Sequence, residues 1–215
     1  MHLLAFGPDI WTADGPAVTV FGPLALPTRM IVVRLRDGSL WINSPIEASP
    51  DEMDRLTQLG RVRHLVAPTP LHAWRLAAWK KHFPDTLVWS PALLEARTPR
   101  DWVEEIDQTM FQGNLFLTEA EFFHRASRTL IMTDFLQNYA PLPGRPVRNA
   151  LTRLAHVQGG GVPIDIRLSI TRRALARRSL MTILSWDFDK LIVAHGDCVE
   201  AGAKAFVRSV FDWLL

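Results

Sequence analysis

Residues 62–72 read VRHLVAPTPLH, a short apolar run followed at once by a turn that carries a histidine. An apolar run of this length, closed by prolines, is typical of a buried strand, and we predict a strand over 62–67. In open α/β sheets, ligands bind beyond the carboxyl ends of the strands. The turn after this strand therefore predicts a functional position for His72.

Two further places along the chain repeat this arrangement. Residues 129–134 read TLIMTD, so Asp134 follows an apolar run, and residues 191–197 read LIVAHGD, so His195 follows another. Neutral imidazole and carboxylate are ligands for divalent transition metals, so two histidines and an aspartate at one sheet edge form a candidate metal site. With His72, these residues predict either a site for one divalent metal (Zn, Fe or Mn) or a hydrogen-bonded cluster with no cofactor.

The first hundred residues predict a hairpin that leads into alternating strands and helices. Asp37-Gly38 separates two apolar runs and favours a tight hairpin turn, since both central positions of that turn prefer positive φ. Ser49 before Pro50 and two acids favours the start of a helix. Short connections between strands and helices indicate parallel strands with crossover helices. The predicted segments are strands at 18–21, 30–35, 39–42, 62–67 and 86–89, and helices at 49–59, 71–82 and 91–96.

The second half of the chain predicts an antiparallel meander, then helices, and finally one more strand and helix. A segment rich in proline and glycine at 141–146 separates the meander from the helices. We interpret residues 1–215 as a single domain in which 135–185 is a helical insertion. The predicted segments are strands at 106–111, 115–123, 128–133 and 191–194, and helices at 147–156, 170–184 and 200–214.

The composition is ordinary for a globular protein, with 48% hydrophobic and 21% charged residues. A formal net charge of +2 is too small to indicate nucleic acid binding. The single cysteine, Cys198, excludes an intramolecular disulfide and favours the cytoplasm. No apolar run approaches the ~18 residues of a membrane span, and the first residues lack the basic segment of a signal peptide. We expect a cytoplasmic protein with a small-molecule ligand in its cleft and with no nucleic acid or membrane partner; homo-oligomers are left open.

The order of these elements, together with four segments of sequence, resembles the metallo-β-lactamase-fold superfamily. The segments are PTRMIVVRLRDGSLWINSPI (27–46), HLVAPTPLHAWRLAAWKKHFPD (64–85), FFHRASRTLIMTDFLQN (122–138) and IVAHGD (192–197). They look like an uncharacterised sequence family within that superfamily. The resemblance covers nearly the whole chain, with 135–185 the least matched. It implies an α/β fold, specifically a four-layer αββα sandwich of two mixed β-sheets.

The metal-binding signature of the superfamily, Thr-His-x-His-x-Asp-His, is only partly present. Residues 69–75 read TPLHAWR, so His72 remains, while Trp74 stands in place of the acid and Arg75 in place of the last histidine. A later histidine of the superfamily falls near Asn114. Because so few ligands supply too little negative charge for two ions, the resemblance implies a degenerate site without a dinuclear centre. The ligands that remain are His72, Asp134 and His195.

The surviving residues predict a mononuclear metal-dependent hydrolase that acts on an ester, amide or phosphate-like small molecule. A metal would activate water and polarise the substrate, and Arg75 and Asp134 are the candidate catalytic residues, with Arg75 binding an anionic substrate group. The alternative is a metal-free pseudo-enzyme that acts as a ligand-binding or assembly module. In that alternative Arg75 pairs with Asp134, and Trp74 fills the vacated metal pocket.

Several other residues have a structural interpretation. Asp197 is predicted to cap the last helix, a role compatible with orienting His195. His124 is predicted to be structural, because the strand pairing places it at the opposite end of the meander from Asp134. Most of the arginines within 167–178 are predicted to share one broad, solvated helix face, with an anionic ligand, a subunit contact or a membrane surface as the alternatives.

Overall fold

The computed structural model describes residues 1–18, 26–96 and 99–215, and the strands within these ranges form two sheets. The first sheet consists of β1 (Leu4–Gly7), β2 (Ile10–Val18), β3 (Leu26–Arg34), β4 (Leu40–Asn43), β5 (Val62–Val66) and β6 (Leu87–Trp89), side by side in chain order. The first four strands are antiparallel, and β5 and β6 then add in parallel to β4, as predicted. The predicted strand at 18–21 lies, after its first residue, outside the described residues.

The second sheet consists of β7 (Ile106–Phe111), β8 (Glu119–His124), β9 (Thr129–Met132) and β10 (Lys190–Val193). The strands β7, β8 and β9 form the predicted antiparallel meander, and β10 pairs in parallel with β9. The strand predicted at 115–123 begins later, because the Asn114 side chain accepts the backbone N–H groups of Phe116 and Leu117 and turns the chain.

Helices connect and cover these sheets. They are α1 (Pro50–Leu56), α2 (Leu76–His82), α3 (Pro91–Ala96), α4 (Pro146–Leu154), α5 (Ile164–Leu168), α6 (Arg173–Ser185) and α7 (Ala203–Val210), with short 3₁₀ helices at Pro70–His72 and Asp212–Leu214. The predicted start of α1 is confirmed. Ser49 and Glu52 form a capping box there, in which each side chain bonds to the backbone N–H of the other residue.

Alternate residues of the strands face opposite layers, and this alternation builds a four-layer αββα sandwich of two mixed sheets. Val32 of β3 packs in one layer with residues of α1 and α2, whereas its neighbour Ile31 faces the space between the sheets. In β9, Leu130 packs with residues of α6 and α7, whereas Ile131 faces the central layer. The central layer also contains Ile10, Val33, Trp41, Val66, Ile106, Phe122 and Ile192. The predicted fold class is confirmed.

The chain after β5 does not form the single helix predicted over 71–82. The backbone N–H groups of His72 and Ala73 bond to carbonyl groups three residues back, which makes a tight 3₁₀ turn, and α2 begins only at Leu76. The break places His72 on a turn at the strand end instead of on the α2 surface.

Two details of turns and caps were also wrong. In the hairpin between β3 and β4 the loop spans five residues, and of the Asp37-Gly38 pair only Gly38 has positive φ, at 79°. Asp37 instead accepts hydrogen bonds from the backbone N–H and the hydroxyl of Ser39. The last helix begins at Ala203 with Gly202 as its N-cap, so Asp197 does not cap it.

The arginines within 167–178 do not all lie on one helix, because Arg167 lies on α5 and Arg173 on α6. Both guanidinium groups nevertheless lie over the Trp213 ring, 4.4 Å and 5.5 Å from its centroid. Arg177 and Arg178 are exposed to solvent, as predicted. Among the described residues, no helix combines the length and the apolar character required to cross a bilayer. The cytoplasmic location, the single-domain organisation and a role in self-association stay predictions.

His124 gives a prediction about the pH dependence of stability. The side chain is buried and bonded to the Ser127 hydroxyl, and burial lowers its pKa to about 4. Between pH 6.5 and pH 4, His124 is therefore protonated in the unfolded chain but stays neutral in the folded chain. Its contribution to the free energy of unfolding decreases as the pH falls through this range. We expect the stability advantage of wild type over His124→Gln to shrink by on the order of 2 kcal/mol across this window.

Urea unfolding of both proteins at a series of pH values measures this difference. The difference in free energy of unfolding between the two proteins removes the contribution of other buried groups that titrate in the same range. In His64, for example, burial also lowers the pKa to about 4. A difference between the two proteins that stays constant from pH 7 to pH 4 would show that His124 is not buried in its neutral form.

Candidate metal site

The three residues predicted as ligands follow β5, β9 and β10, and the structure brings their side chains together. The Nε2 atom of His72 lies 3.3 Å from Oδ1 of Asp134, and the Nε2 atom of His195 lies 3.2 Å from the same oxygen. One ligand atom from each residue falls within 4.8 Å of the others. Polar residues at the ends of three separate strands therefore form one cluster, as predicted. The cluster does not lie at the edge of a single sheet, however, because β5 belongs to the first sheet and β9 and β10 to the second.

Asp134 is held at the centre of this cluster as a charged group. The Thr69 hydroxyl donates to Oδ2 at 2.8 Å, which leaves Oδ1 facing the two histidines. Burial alone would raise the pKa of Asp134, but the neighbouring His72 and His195 hold that pKa well below its ordinary range. The carboxylate thus stays ionised although Asp134 is only 5% exposed.

A buried glutamate on β8 positions the backbone that carries Asp134. The Glu119 carboxylate accepts the backbone N–H groups of three successive residues, Thr133, Asp134 and Phe135, at 2.5, 2.8 and 2.9 Å. Sequence reasoning missed Glu119 and its neighbour Glu121, although two acids inside an apolar strand, in the segment EAEFF, are an unusual signal. Burial and the Glu119 charge raise the pKa of Glu121 well above its ordinary value.

The orientation of His195 comes from the opposite sheet. Its Nδ1 atom lies 2.7 Å from the carbonyl oxygen of Pro27, so Nδ1 carries the proton and Nε2 faces Asp134. The prediction that Asp197 orients His195 is wrong, since the Asp197 carboxylate accepts the backbone N–H of Ala140 instead. At His72, burial lowers the pKa, but the charge and the hydrogen bond of Asp134 together with the Glu119 charge outweigh burial and raise the pKa overall.

Comparisons with known proteins identify the fold. A family model described as a domain of unknown function (DUF4336) matches residues 8–93, less than half of the chain. No curated protein matches the sequence. Solved structures, in contrast, are similar in fold. The crystal structure of a metallo-β-lactamase from Erythrobacter litoralis aligns with 99% of this chain over 91% of its own chain, with 10% sequence identity and a TM-score of 0.62. A metallo-β-lactamase from Hirschia baltica matches 96% of both chains, with 9% identity and a TM-score of 0.60. This chain has the metallo-β-lactamase fold.

The metallo-β-lactamase fold confirms the resemblance inferred from the order of elements, but it does not by itself assign a reaction. The rubredoxin:oxygen oxidoreductase from Desulfovibrio gigas is also similar, with 10% identity and a TM-score of 0.63 over 99% of this chain and 61% of its own. Proteins of one fold carry out different chemistry, so the activity of this chain depends on its site.

Two predictions about residues just after the turn that carries His72 were wrong. Arg75 does not pair with Asp134, because its guanidinium group binds the Glu47 carboxylate at 2.5 Å. Trp74 does not fill the metal pocket, since it is 55% exposed. Asn114, expected in place of a metal ligand, directs its amide to the Ile166 carbonyl and the Ser169 hydroxyl instead.

A cavity of about 990 Å³ opens against the cluster, and His72, Asp134 and His195 form part of its wall. Its volume lies near the top of the ~300–1,000 Å³ range of small-molecule sites. Tyr139 also lines this cavity, and its buried hydroxyl has no hydrogen-bond partner among the described residues. The wall includes Val18 and Leu26, and the residues between these two are not described.

The cluster fits a single divalent metal of the kind that the metallo-β-lactamase fold implies. Two ligands about 2.0–2.1 Å from one tetrahedral ion are about 3.3–3.4 Å apart, close to the 3.3 and 3.2 Å between the histidines and Asp134. The Pro27 carbonyl on His195 and the Thr69 hydroxyl on Asp134 are partners of the type that orients metal ligands. The same distances also suit hydrogen bonds.

Proposed function

We propose that this protein is a mononuclear metal-dependent hydrolase of a small molecule bound in the cavity, with His72, Asp134 and His195 as the metal ligands. The convergence of these three side chains at the cavity wall carries the proposal. Two histidines and one carboxylate leave a coordination position for water, as in catalytic zinc sites, and they suit Zn, Fe and Mn alike. On this proposal the superfamily motif is degenerate, since Trp74 and Arg75 stand where ligands are expected.

A bound metal would supply Lewis acidity and an activated water. Asp134 contributes the negative charge of the site, and Thr69 holds that carboxylate with one oxygen facing the histidines. In the reaction, the oxygen of water adds to the substrate carbonyl carbon, the bond to the leaving group breaks, and the leaving group takes up a proton. Tyr139 is the hydrogen-bond donor that we assign to the carbonyl oxygen, where negative charge develops.

The assignment of Tyr139 gives a specific prediction. Burial raises its pKa to about 12, so the hydroxyl keeps its proton at neutral pH and can only act as a donor toward an oxyanion. We expect Tyr139→Phe to lower kcat about 10- to 100-fold, because one donor to the transition state is lost. Metal content and thermal stability should remain at the wild-type level, since the hydroxyl has no hydrogen-bond partner among the described residues. An unchanged kcat would remove Tyr139 from the reaction.

Elemental analysis of the purified protein tests the metal itself. After expression with added Zn, Fe and Mn, we expect about one equivalent of metal per chain, lost in His72→Ala and in His195→Ala. His82→Ala is the matched control, since His82 pairs with Asp54 away from the cluster and its removal should leave the metal in place. Wild-type protein with less than about a tenth of an equivalent would contradict the proposal.

The second candidate is a metal-free relative that binds a ligand in the same cavity. One observation favours it: Nε2 of His72 lies within hydrogen-bond distance of Asp134 Oδ1 and the Thr69 hydroxyl donates to Oδ2, so the Asp134 carboxylate can be hydrogen-bonded without an ion. In this case metal content is negligible, and the variants His72→Ala and His195→Ala lower stability without changing any metal signal.

The proposed role in self-association is a separate question. Light scattering measures the oligomeric mass of wild type and of a variant in which the arginines of 172–178 are replaced, and an unchanged mass would remove this role.

A further inference from the structure

The mouth of the cavity is lined by large apolar side chains that are exposed to solvent. Scattered apolar residues are normal on a protein surface, but an apolar patch around a concave site marks a binding surface. Four such side chains line one cavity, and each leaves more than two fifths of its surface open. They are Leu71 at 44%, Trp74 at 55%, Phe116 at 85% and Leu142 at 43% exposed.

The less exposed part of the cavity wall is also largely apolar. Aliphatic side chains that are buried or half-buried line the same cavity as the cluster, among them Ile46, Leu117, Val157 and Ile166. The histidines, Asp134 and the hydroxyl of Tyr139 supply polar atoms in the same wall. A ligand that matches this distribution is apolar over most of its length and polar at the end near the cluster.

The arginines of the cavity wall are already occupied, which argues against a charged head group. Arg75 binds Glu47, and Arg29 binds Asp14 together with two backbone carbonyl groups. Arg148 lies over the Tyr139 ring and donates to the Ala140 carbonyl. An anionic phosphate or carboxylate would have to share these guanidinium groups with their present partners, whereas an uncharged carbonyl does not require them.

We propose that the substrate is an uncharged carboxylic ester with a long alkyl chain, whose chain lies along this apolar wall and whose carbonyl reaches the cluster. The proposal rests on the proposed hydrolase function and names its substrate class. Each methylene buried in an apolar site contributes a roughly constant amount to binding, so affinity should increase regularly with chain length until the cavity is full.

Hydrolysis of 4-nitrophenyl acetate, hexanoate and dodecanoate by the metal-loaded protein tests whether the alkyl chain of the substrate binds along this wall. We expect KM to fall about two- to fourfold for each added methylene between acetate and hexanoate. In Leu71→Gln the KM for the dodecanoate should rise about fivefold, with little change for the acetate. Leu93→Gln is the matched control, because Leu93 is 46% exposed and lies outside the cavity wall. Phe116→Gln provides a second variant at the mouth.

Binding of an uncharged dansyl-labelled dodecyl amide, followed by fluorescence, separates this inference from the metal chemistry. Binding to wild type and to metal-free His195→Ala, weakened in Leu71→Gln but not in Leu93→Gln, supports the apolar site even if no ester is hydrolysed. Ester hydrolysis with equal KM values for acetate and dodecanoate would overturn the inference and leave the hydrolase function intact. Absence of probe binding to wild type would also overturn it.

Discussion

Asp134→Asn should abolish both metal binding and hydrolysis. Asp134 is the charged residue of the cluster, and both histidine Nε2 atoms face its Oδ1 atom. Replacing the carboxylate by an amide of the same shape removes the negative charge that a divalent ion needs, while the cavity keeps its form. We expect metal content to fall from about one equivalent to less than a tenth, and kcat/KM to fall at least about 10³-fold. Elemental analysis and a hydrolysis assay measure the two effects.

Asp197→Asn is the matched control for this variant. Asp197 also lines the cavity, but its carboxylate bonds to the backbone of Ala140 and does not belong to the cluster. Its replacement should leave metal content at the wild-type value. If Asp134→Asn retains a full equivalent of metal, Asp134 is not a ligand and the proposed site is wrong.

The second large effect is expected for Glu119→Gln. Both oxygens of the Glu119 carboxylate accept backbone N–H groups from the segment that carries Asp134. A glutamine places an N–H group against one of these donors, in a position closed to water, so one buried donor loses its partner. We expect a loss of about 3 kcal/mol in the free energy of unfolding, together with weaker metal binding as the Asp134 loop moves.

Glu121→Gln provides an internal comparison on the same strand. Glu121 is also fully buried, but burial and the neighbouring Glu119 raise its pKa and so favour the neutral acid, and no described residue donates to its oxygens. A neutral amide of similar shape should therefore change stability by less than about 1 kcal/mol. Urea unfolding of the two variants and metal titration provide the measurements. Equal losses for both would show that the three hydrogen bonds to Glu119 are not what holds the Asp134 loop.

Much of the fold was accessible from the sequence because it depends on local patterns. The alternation of strand and helix after the hairpin correctly predicted that β5 and β6 run parallel to β4. Short apolar strands ended by Thr-Pro, Thr-Asp and His-Gly marked the positions of His72, Asp134 and His195, and the structure brings these residues together. Asp134 and His195 meet because β9 and β10 are parallel neighbours in one sheet, whereas β5 belongs to the other sheet, so the approach of His72 depends on how the two sheets pack.

The partners of these residues were not accessible from the sequence, because they come from distant segments. The carbonyl of Pro27 orients His195 across 168 residues of chain, and Glu119 reaches the Asp134 loop from a neighbouring strand. Arg75 was predicted to pair with Asp134, yet the nearer acid in space is Glu47, in the loop before α1. A charged side chain pairs with whichever opposite charge the fold places beside it, and residue type does not reveal that choice.

By itself, the sequence predicted most strands and helices and the three residues of the cluster, since periodic hydrophobicity and strand ends are local properties of the chain. The layered architecture followed from the resemblance of the element order to the metallo-β-lactamase-fold superfamily. Only the tertiary structure decided that Trp74 and Arg75 do not join the cluster, that a large apolar cavity meets it, and that the Tyr139 hydroxyl in the cavity wall has no hydrogen-bond partner among the described residues. The reason is physical. A cavity and the charge pairs around it depend on the packing of elements far apart in the chain, where small differences in side-chain direction select one partner over another.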